Sequence, residues 1–443
     1  MELSEFMPGL TKKHHFIAVA TAVAVAFAFT APVRAETLYD SIQSLVKNQK
    51  QIKAAEADLD AAKERAAAAW GDWYPQLSLT ANWGREKQNK STGTADVEEH
   101  PREVDLTLTQ QLWDFGSTNA AIQSAELSVD RAGTNLISTR QALILQGIEA
   151  HLNLIRADKV LGFAKGSVGN IRRQAKLEDA RVQRGGGFTT DVLQAKTQLA
   201  GAEARRNNFA ASLRTAVNAY RRFYGKPPGK IDKMDDPRTP FELLPKSVDE
   251  LIQIMLETNP GLKATRLDAE ILQQTIIQTR ADEFFPTLEA TAETKRKEDV
   301  GGTIAKSTEQ LFKVELSYSF NLGLTQRNTL LAAKKDHLAG TERYVDARAS
   351  FEQQARDLWS NFVRDKLNAE FLKNQANIAG EFLELARRER QLGNRSLIDV
   401  LAGETALINA NSDAAATETD IKLDVFRILN IMGKLEAGIL KPN

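Results

Sequence analysis

The chain contains no cysteine in 443 residues. Disulfides, thiolate metal sites and a lipid-carrying N-terminal cysteine are therefore excluded together. Histidine is also scarce, with five in the whole chain, so few groups are available for metal binding or general-base catalysis. An excess of one charge is absent too, since 58 basic residues balance 58 acidic ones, and nothing indicates a nucleic-acid partner. We expect no enzyme, no cofactor and no bound nucleic acid.

Long hydrophobic runs are almost absent, and the one that stands out lies near the start. Basic residues at 12–15 precede an apolar run over 16–30, and small residues at 33–35 offer a cleavage site. This order predicts a secretory signal peptide over residues 1–35, because the run is short for a spanning helix. An uncleaved anchor is the alternative. No later stretch is apolar enough for a membrane helix, so we expect any crossing to be made by strands.

Four landmarks occur twice, in the same order and 207 to 211 residues apart. They pair 48–54 with 259–264, 73–77 with 284–288, 112–116 with 319–323, and the glycine-containing turn 184–193 with 392–401. Such self-similarity indicates a duplicated unit. We predict a first repeat over 36–225 and a second over 248–443, joined by a proline-rich connection at 226–247.

Each repeat contains two segments in which apolar and polar residues alternate. These predict strands at about 76–83 and 104–113 in the first repeat, and at about 287–294 and 312–320 in the second. Strands of about 9–11 residues with one apolar and one polar face are typical of transmembrane barrels. The alternative is an amphipathic sheet packed on a protein core, but no second layer accompanies the four strands.

Long helical patterns follow each pair of strands. They predict helical hairpins at about 117–224 and about 325–436, each with a tight glycine turn at its far end. The proline-free run from 117 to 183 would extend ~100 Å at 1.5 Å per residue. Leu145, Ile148 and Leu152 follow the seam spacing of a coiled coil. A plain soluble coiled coil explains these helices equally well, although it does not explain the strands.

Four strands are too few to close a barrel, since about eight is the smallest number that does. An open sheet in lipid would leave the backbone amides of its edges unpaired. The barrel must therefore be shared, and three chains supply twelve strands. The predicted fold class is mainly α with a small membrane β part. Duplicated helical hairpins form a coiled-coil α-barrel, and each chain adds four strands to a 12-stranded trimeric β-barrel.

The ordered set of Tyr74-Pro75, Leu112-Trp113-Asp114-Phe115-Gly116 and the two Gly…Asp-Val-Leu turns resembles the TolC family of outer-membrane channels. The resemblance covers nearly all of the chain after residue 35. It implies a homotrimer in outer-membrane lipid, with its helical part in the periplasm. Such a channel passively conducts substrates received from a periplasmic adaptor and an inner-membrane ABC or proton-driven transporter.

The resemblance implies type I protein secretion, multidrug efflux, or both. The absence of a cysteine that could carry a lipid argues slightly against the lipidated drug-efflux branch of the family. The main alternative is a periplasmic coiled-coil scaffold or adaptor without a membrane barrel.

The same resemblance places a periplasmic gate at the two hairpin turns. Thr190 and Asp191 match the family's Thr-Asp pair, and Arg395 matches the arginine that meets it. The family's tyrosine is replaced by Arg390, which would substitute an ion pair with Asp191 for a hydrogen bond. Helix capping explains Asp191 equally well. The alternative for Arg390 and Arg395 is that their side chains are simply exposed to solvent.

A constriction ring and an adaptor-docking surface are implied at the same turns. Asp399 matches the first of two ring-forming aspartates, whereas the second position is Ala402 and Glu404 is a poor substitute. Three copies of Asp399 would favour cations, although Asp399 also suits a helix N-terminus. The adaptor-docking turns contain Gly185, Gly187 and Gly393.

Aromatic residues occur where helix changes to strand in both repeats. They are Trp73, Tyr74, Phe284 and Phe285. Aromatic side chains at this level are typical of an interfacial girdle, and ordinary packing is the alternative.

Overall fold

A computed structural model of the chain describes residues 37–89, 96–302 and 304–441. The predicted signal peptide, 1–35, lies outside these residues. The helices and strands of the first half are α1 (Leu38–Asn48), α2 (Lys50–Gly71), β1 (Gln76–Trp83), β2 (Glu86–Gln88), β3 (Val97–Glu99), β4 (Arg102–Trp113), α3 (Ser117–Gln183) and α4 (Thr189–Tyr224). Those of the second half are α5 (Val248–Thr258), α6 (Pro260–Phe284), β5 (Thr287–Glu298), β6 (Lys306–Ser317), α7 (Thr325–Gln391) and α8 (Leu397–Ile431).

The two halves repeat one another closely. Helices α3 and α7 each contain 67 residues, and their return helices α4 and α8 contain 36 and 35. Two short 3-10 segments, Ile231–Lys233 and Phe241–Leu243, lie in the connection between the halves. Among the helices of the described residues, none is long and apolar enough to cross a membrane.

The main sheet is antiparallel, with strand order β1-β4-β5-β6. Its register places most apolar side chains of the four strands on one face, because alternate residues of a strand share a face. Leu77, Leu79, Phe312, Val314 and Leu316 on this face are 56–75% exposed. The sheet is therefore not packed on a protein core, as the alternative interpretation required. Strands β1 and β6 are the edge strands of this sheet, and each is paired with a neighbouring strand of the sheet on one side only.

The strand ends differ from those predicted in the second half. Strand β6 begins at Lys306 and ends at Ser317, whereas the prediction was about 312–320, and β5 continues to Glu298. Glu298 pairs with Lys306 in register, and the Asp299 amide donates to the Ala305 carbonyl at 3.0 Å. The ladder thus continues through polar residues, where apolar alternation gives no signal.

The largest hydrophobic core lies where the short helices α1 and α5 cover the long ones. Its fully buried members include Leu38, Ile42, Ile148, Met255 and Phe426. Burying one such side chain contributes about 1.5–3 kcal/mol, so this cluster anchors the middle of the helical part. A smaller core near the turns joins α3, α4 and α8 through Ile171, Ala195, Leu397 and Leu401.

Candidate functional site

Both long helices end in the same glycine turn. Gly185 and Gly393 have φ of 80° and 82°, the left-handed conformation that favours glycine. In each turn the amide after the glycine donates to the carbonyl five residues earlier, at 2.9 Å. This geometry satisfies the last carbonyls of α3 and α7 and reverses the chain into α4 and α8.

The return helices begin differently. The Ser396 hydroxyl caps α8 by accepting the Asp399 amide at 3.3 Å. Helix α4 begins after Phe188 without a side-chain cap. Gly187, with φ of 140°, leads into an extended Phe188 whose carbonyl accepts the Asp191 amide at 3.0 Å. A backbone hydrogen bond therefore takes the place of a side-chain cap at the start of α4.

Arg390 connects the two hairpins. It lies in the last turn of α7, and its side chain is only 17% exposed. Its guanidinium lies 3.0 and 3.3 Å from the two carboxylate oxygens of Glu178 in α3. The same group donates to Asp191 Oδ2 in α4 at 3.2 Å. One side chain of the second hairpin thus contacts both helices of the first, and the Arg390–Asp191 pair expected from the sequence is present.

Glu178 is the residue of this site that sequence reasoning missed. Its side chain is 1% exposed and also accepts hydrogen bonds from Gln174 and Arg181, both at 3.1 Å. A carboxylate so deeply buried needs this pairing, since an uncompensated buried charge costs several kcal/mol. A signal was available: the buried stripe of α3 runs through Val168, Ile171, Ala175 and Glu178 at coiled-coil spacing.

Arg395 lies against its own hairpin. It contacts neither Thr190 nor Asp191 within its own chain. Its guanidinium instead lies 3.4 Å from Glu389 and 3.7 Å from Asp399, and 5.2 Å from the centre of the Phe382 ring. The turn after α7 carries Arg395 back toward the α7–α8 pair, so the carboxylates nearest to it belong to its own hairpin.

Two acidic residues near the start of α8 lie in different environments. Asp399 is in the first turn with a side chain 49% exposed, and Ala402 on the same helix is exposed as well. Glu404 is 4% exposed, forms an ion pair with Arg387 and accepts from Asn170 Nδ2 at 3.3 Å. Glu404 is thus a second buried link between the hairpins rather than a member of an exposed ring.

The four predicted interfacial aromatics divide into two kinds. Tyr74 and Phe284 are 68% and 40% exposed, as residues of a girdle would be in a single chain. Trp73 instead donates from its indole nitrogen to Asn119 at 3.1 Å, and Phe285 stacks on Phe115 at 4.8 Å between ring centres. The second pair therefore also has packing contacts within the chain.

Long antiparallel hairpins that continue from an open four-stranded sheet define a class of protein, the outer-membrane channels. The family model described as "Outer membrane efflux protein" matches residues 41–226 and 251–434. The chain belongs to the outer membrane efflux protein family.

Individual relatives resemble the chain over most of their length. Outer membrane efflux protein BepC of Brucella suis biovar 1 (strain 1330) is 24% identical over 413 residues, covering 91% of this chain and 87% of BepC. Outer membrane protein TolC of Escherichia coli (strain K12) is 25% identical over 435 residues, covering 94% of this chain and 86% of TolC. The solved outer-membrane channel OprN superposes with a TM-score of 0.79 at 19% identity, covering 90% of each chain.

These findings confirm the predicted membership in the TolC family and the predicted fold of the chain, mainly α with a four-stranded sheet. The protein is an outer-membrane protein with its helical part in the periplasm.

Proposed function

We propose that three copies form a channel-tunnel that passively conducts substrates to the cell exterior. One observation carries the proposal: the sheet is open at both edges and exposes its apolar face. Lipid would cover that face, but it offers no partner to edge amides. Three copies arranged edge to edge remove both edges and close a ring of twelve strands.

We further propose that the contacts around Arg390 hold the periplasmic end shut. Glu178, Asp191 and Arg390 join the second hairpin to the first, and Thr190 lies exposed beside them. Opening requires the hairpins to separate, which breaks the ion pairs. The exposed turns at Gly185, Gly187 and Gly393 are the surface on which a periplasmic adaptor would act.

Around a three-fold axis, three copies of Asp399 would form an acidic ring at the entrance. Arg395 lies 3.7 Å from Asp399 in the same chain and would moderate the ring's charge. Arg395 thereby takes a role in selectivity, in place of the intrachain link to Thr190 and Asp191.

The substrates we propose are those of type I protein secretion, multidrug efflux, or both. An inner-membrane ABC or proton-driven transporter would supply the energy. The test uses a strain that lacks the gene and measures two outputs, secreted protein and accumulation of a fluorescent drug. Restoration of either output by the intact gene supports export and identifies the substrate class. A strain in which neither output depends on the gene contradicts the proposal.

A periplasmic scaffold or adaptor is the alternative function. It predicts that the protein is released with soluble periplasmic contents and induces no current in a planar bilayer. The channel predicts retention in the outer-membrane fraction and discrete conductance steps.

A further inference from the structure

Three basic residues lie on the apolar face of the sheet, beyond its apolar positions. They are Arg102 in β4, Arg296 in β5 and Lys306 in β6. The register places Arg102 directly opposite Glu298, and Glu298 directly opposite Lys306. Arg296 is two residues from Glu298 in the same strand and therefore shares its face. These residues form one cluster at the loop end of the strands, which we call the basic rim.

The basic rim is exposed and positively charged. Arg102, Arg296 and Lys306 are all exposed, and Lys306 lies 3.0 Å from Glu298. At the strand positions of this face, Glu298 is the single acidic residue, so three cations face one carboxylate. The opposite face is different, because each of its three lysines pairs with a carboxylate of its own: Lys295 with Glu293, Lys297 with Glu309 and Lys313 with Glu315.

The position of the rim matches the level of lipid headgroups. A basic residue on the lipid face of a barrel costs about 2–4 kcal/mol at the bilayer midplane but only about 0–1 near the interface. Trp83, 76% exposed, pairs directly with Arg102, and tryptophan is enriched at membrane interfaces. The basic rim and Trp83 are thus two separate observations that place the membrane interface at the same level of the sheet. The loop end of the strands faces away from the periplasmic helices, so this boundary belongs to the outer leaflet.

The geometry points to a binding surface for phosphate-bearing lipid headgroups, formed by the basic rim of each protomer. Guanidinium groups bind phosphate oxygens through paired hydrogen bonds, and each basic residue near an anionic membrane surface attracts it. Phosphorylated glycolipid of the outer leaflet is the lipid with this chemistry. The inference rests on the proposed function in requiring that the sheet spans the membrane.

The test measures binding of lipid A to the purified protein by native mass spectrometry, with dephosphorylated lipid A and inorganic phosphate as comparison ligands. The variant carries Arg102→Gln, Arg296→Gln and Lys306→Gln together. Each lost cation should weaken lipid A binding roughly fivefold, and the three together about a hundredfold. The matched control removes three cations from the opposite face, as Lys295→Gln, Lys297→Gln and Lys313→Gln, and should bind lipid A like the wild type.

Either of two direct binding results would overturn the inference, and a competition result given below would be a third: wild-type protein that binds dephosphorylated lipid A equally well, or a rim variant that binds lipid A as tightly as the control. The first needs no substitution, so it decides the question even if the rim variant folds poorly. Free phosphate that displaces lipid A at similar concentrations would assign the surface to small anions and also contradict it. Insertion into phosphatidylethanolamine vesicles is recorded in parallel. Failure to insert counts against the channel, whereas insertion without phosphate preference counts against the rim alone.

Discussion

Replacing Arg390 with glutamine should open the periplasmic end. Removing one partner of a buried ion pair typically costs about 3–5 kcal/mol. Here Glu178 keeps its hydrogen bonds from Gln174 and Arg181, and the Asp191 side chain is 27% exposed. We therefore expect Arg390→Gln to destabilise the closed state by about 2–3 kcal/mol. Since 1.36 kcal/mol corresponds to a factor of ten, the closed-to-open equilibrium should shift by roughly 30- to 160-fold.

Single-channel recording in planar bilayers measures this shift as a larger conductance or a longer open time. Arg388→Gln is the matched control, because Arg388 lies two residues earlier and pairs with Glu384 on the exposed side of the same helix. The control should conduct like the wild type. Glu178→Gln removes the charge on the other side of the pair with almost no change of shape, and it should open the channel as well. If Arg390→Gln and Glu178→Gln both conduct like Arg388→Gln, these contacts do not close the entrance.

Three further substitutions test the site and the helical core. Asp399→Asn should lower the preference for cations and Arg395→Gln should raise it, because their side chains lie 3.7 Å apart; identical reversal potentials in a salt gradient would exclude an acidic ring. His151 in α3 is 2% exposed, and burial lowers its pKa, opposed by the Asp235 carbonyl at 2.7 Å from Nε2. The folded protein binds this proton less readily than the unfolded chain, whose histidine titrates at about pH 6.5. The free energy of unfolding should therefore decrease as the pH falls below about 6.5, by at most about 1.4 kcal/mol per pH unit. His151→Gln should flatten thermal unfolding between pH 7.5 and 5.5, and an unchanged pH slope would contradict this assignment.

Much of the fold was predictable because its signals are local. Period-two alternation marks β1 and β4, and the helical period without proline marks α3 and α7. The strand ends of β5 and β6 were not predictable from alternation, since charged residues continue the ladder to Glu298 and Lys306.

The site was predictable only in part. The resemblance supplied the pair of Arg390 and Asp191, because both positions follow directly from the two turns. Glu178 lies in an apolar stripe that is readable in the sequence, but its partner on another hairpin depends on tertiary packing. The contacts of Arg395 within its own chain were not predictable for the same reason: the path of the turn after α7, rather than the residue type, determines which carboxylates it contacts.

The central claim is that one chain supplies only a third of the channel wall. Native mass spectrometry of the protein purified from outer membranes in detergent tests this claim most directly. We predict a species of three chain masses that resists dissociation until the sheet unfolds. A stable single-chain species that retains its strands and inserts alone into lipid would contradict the account.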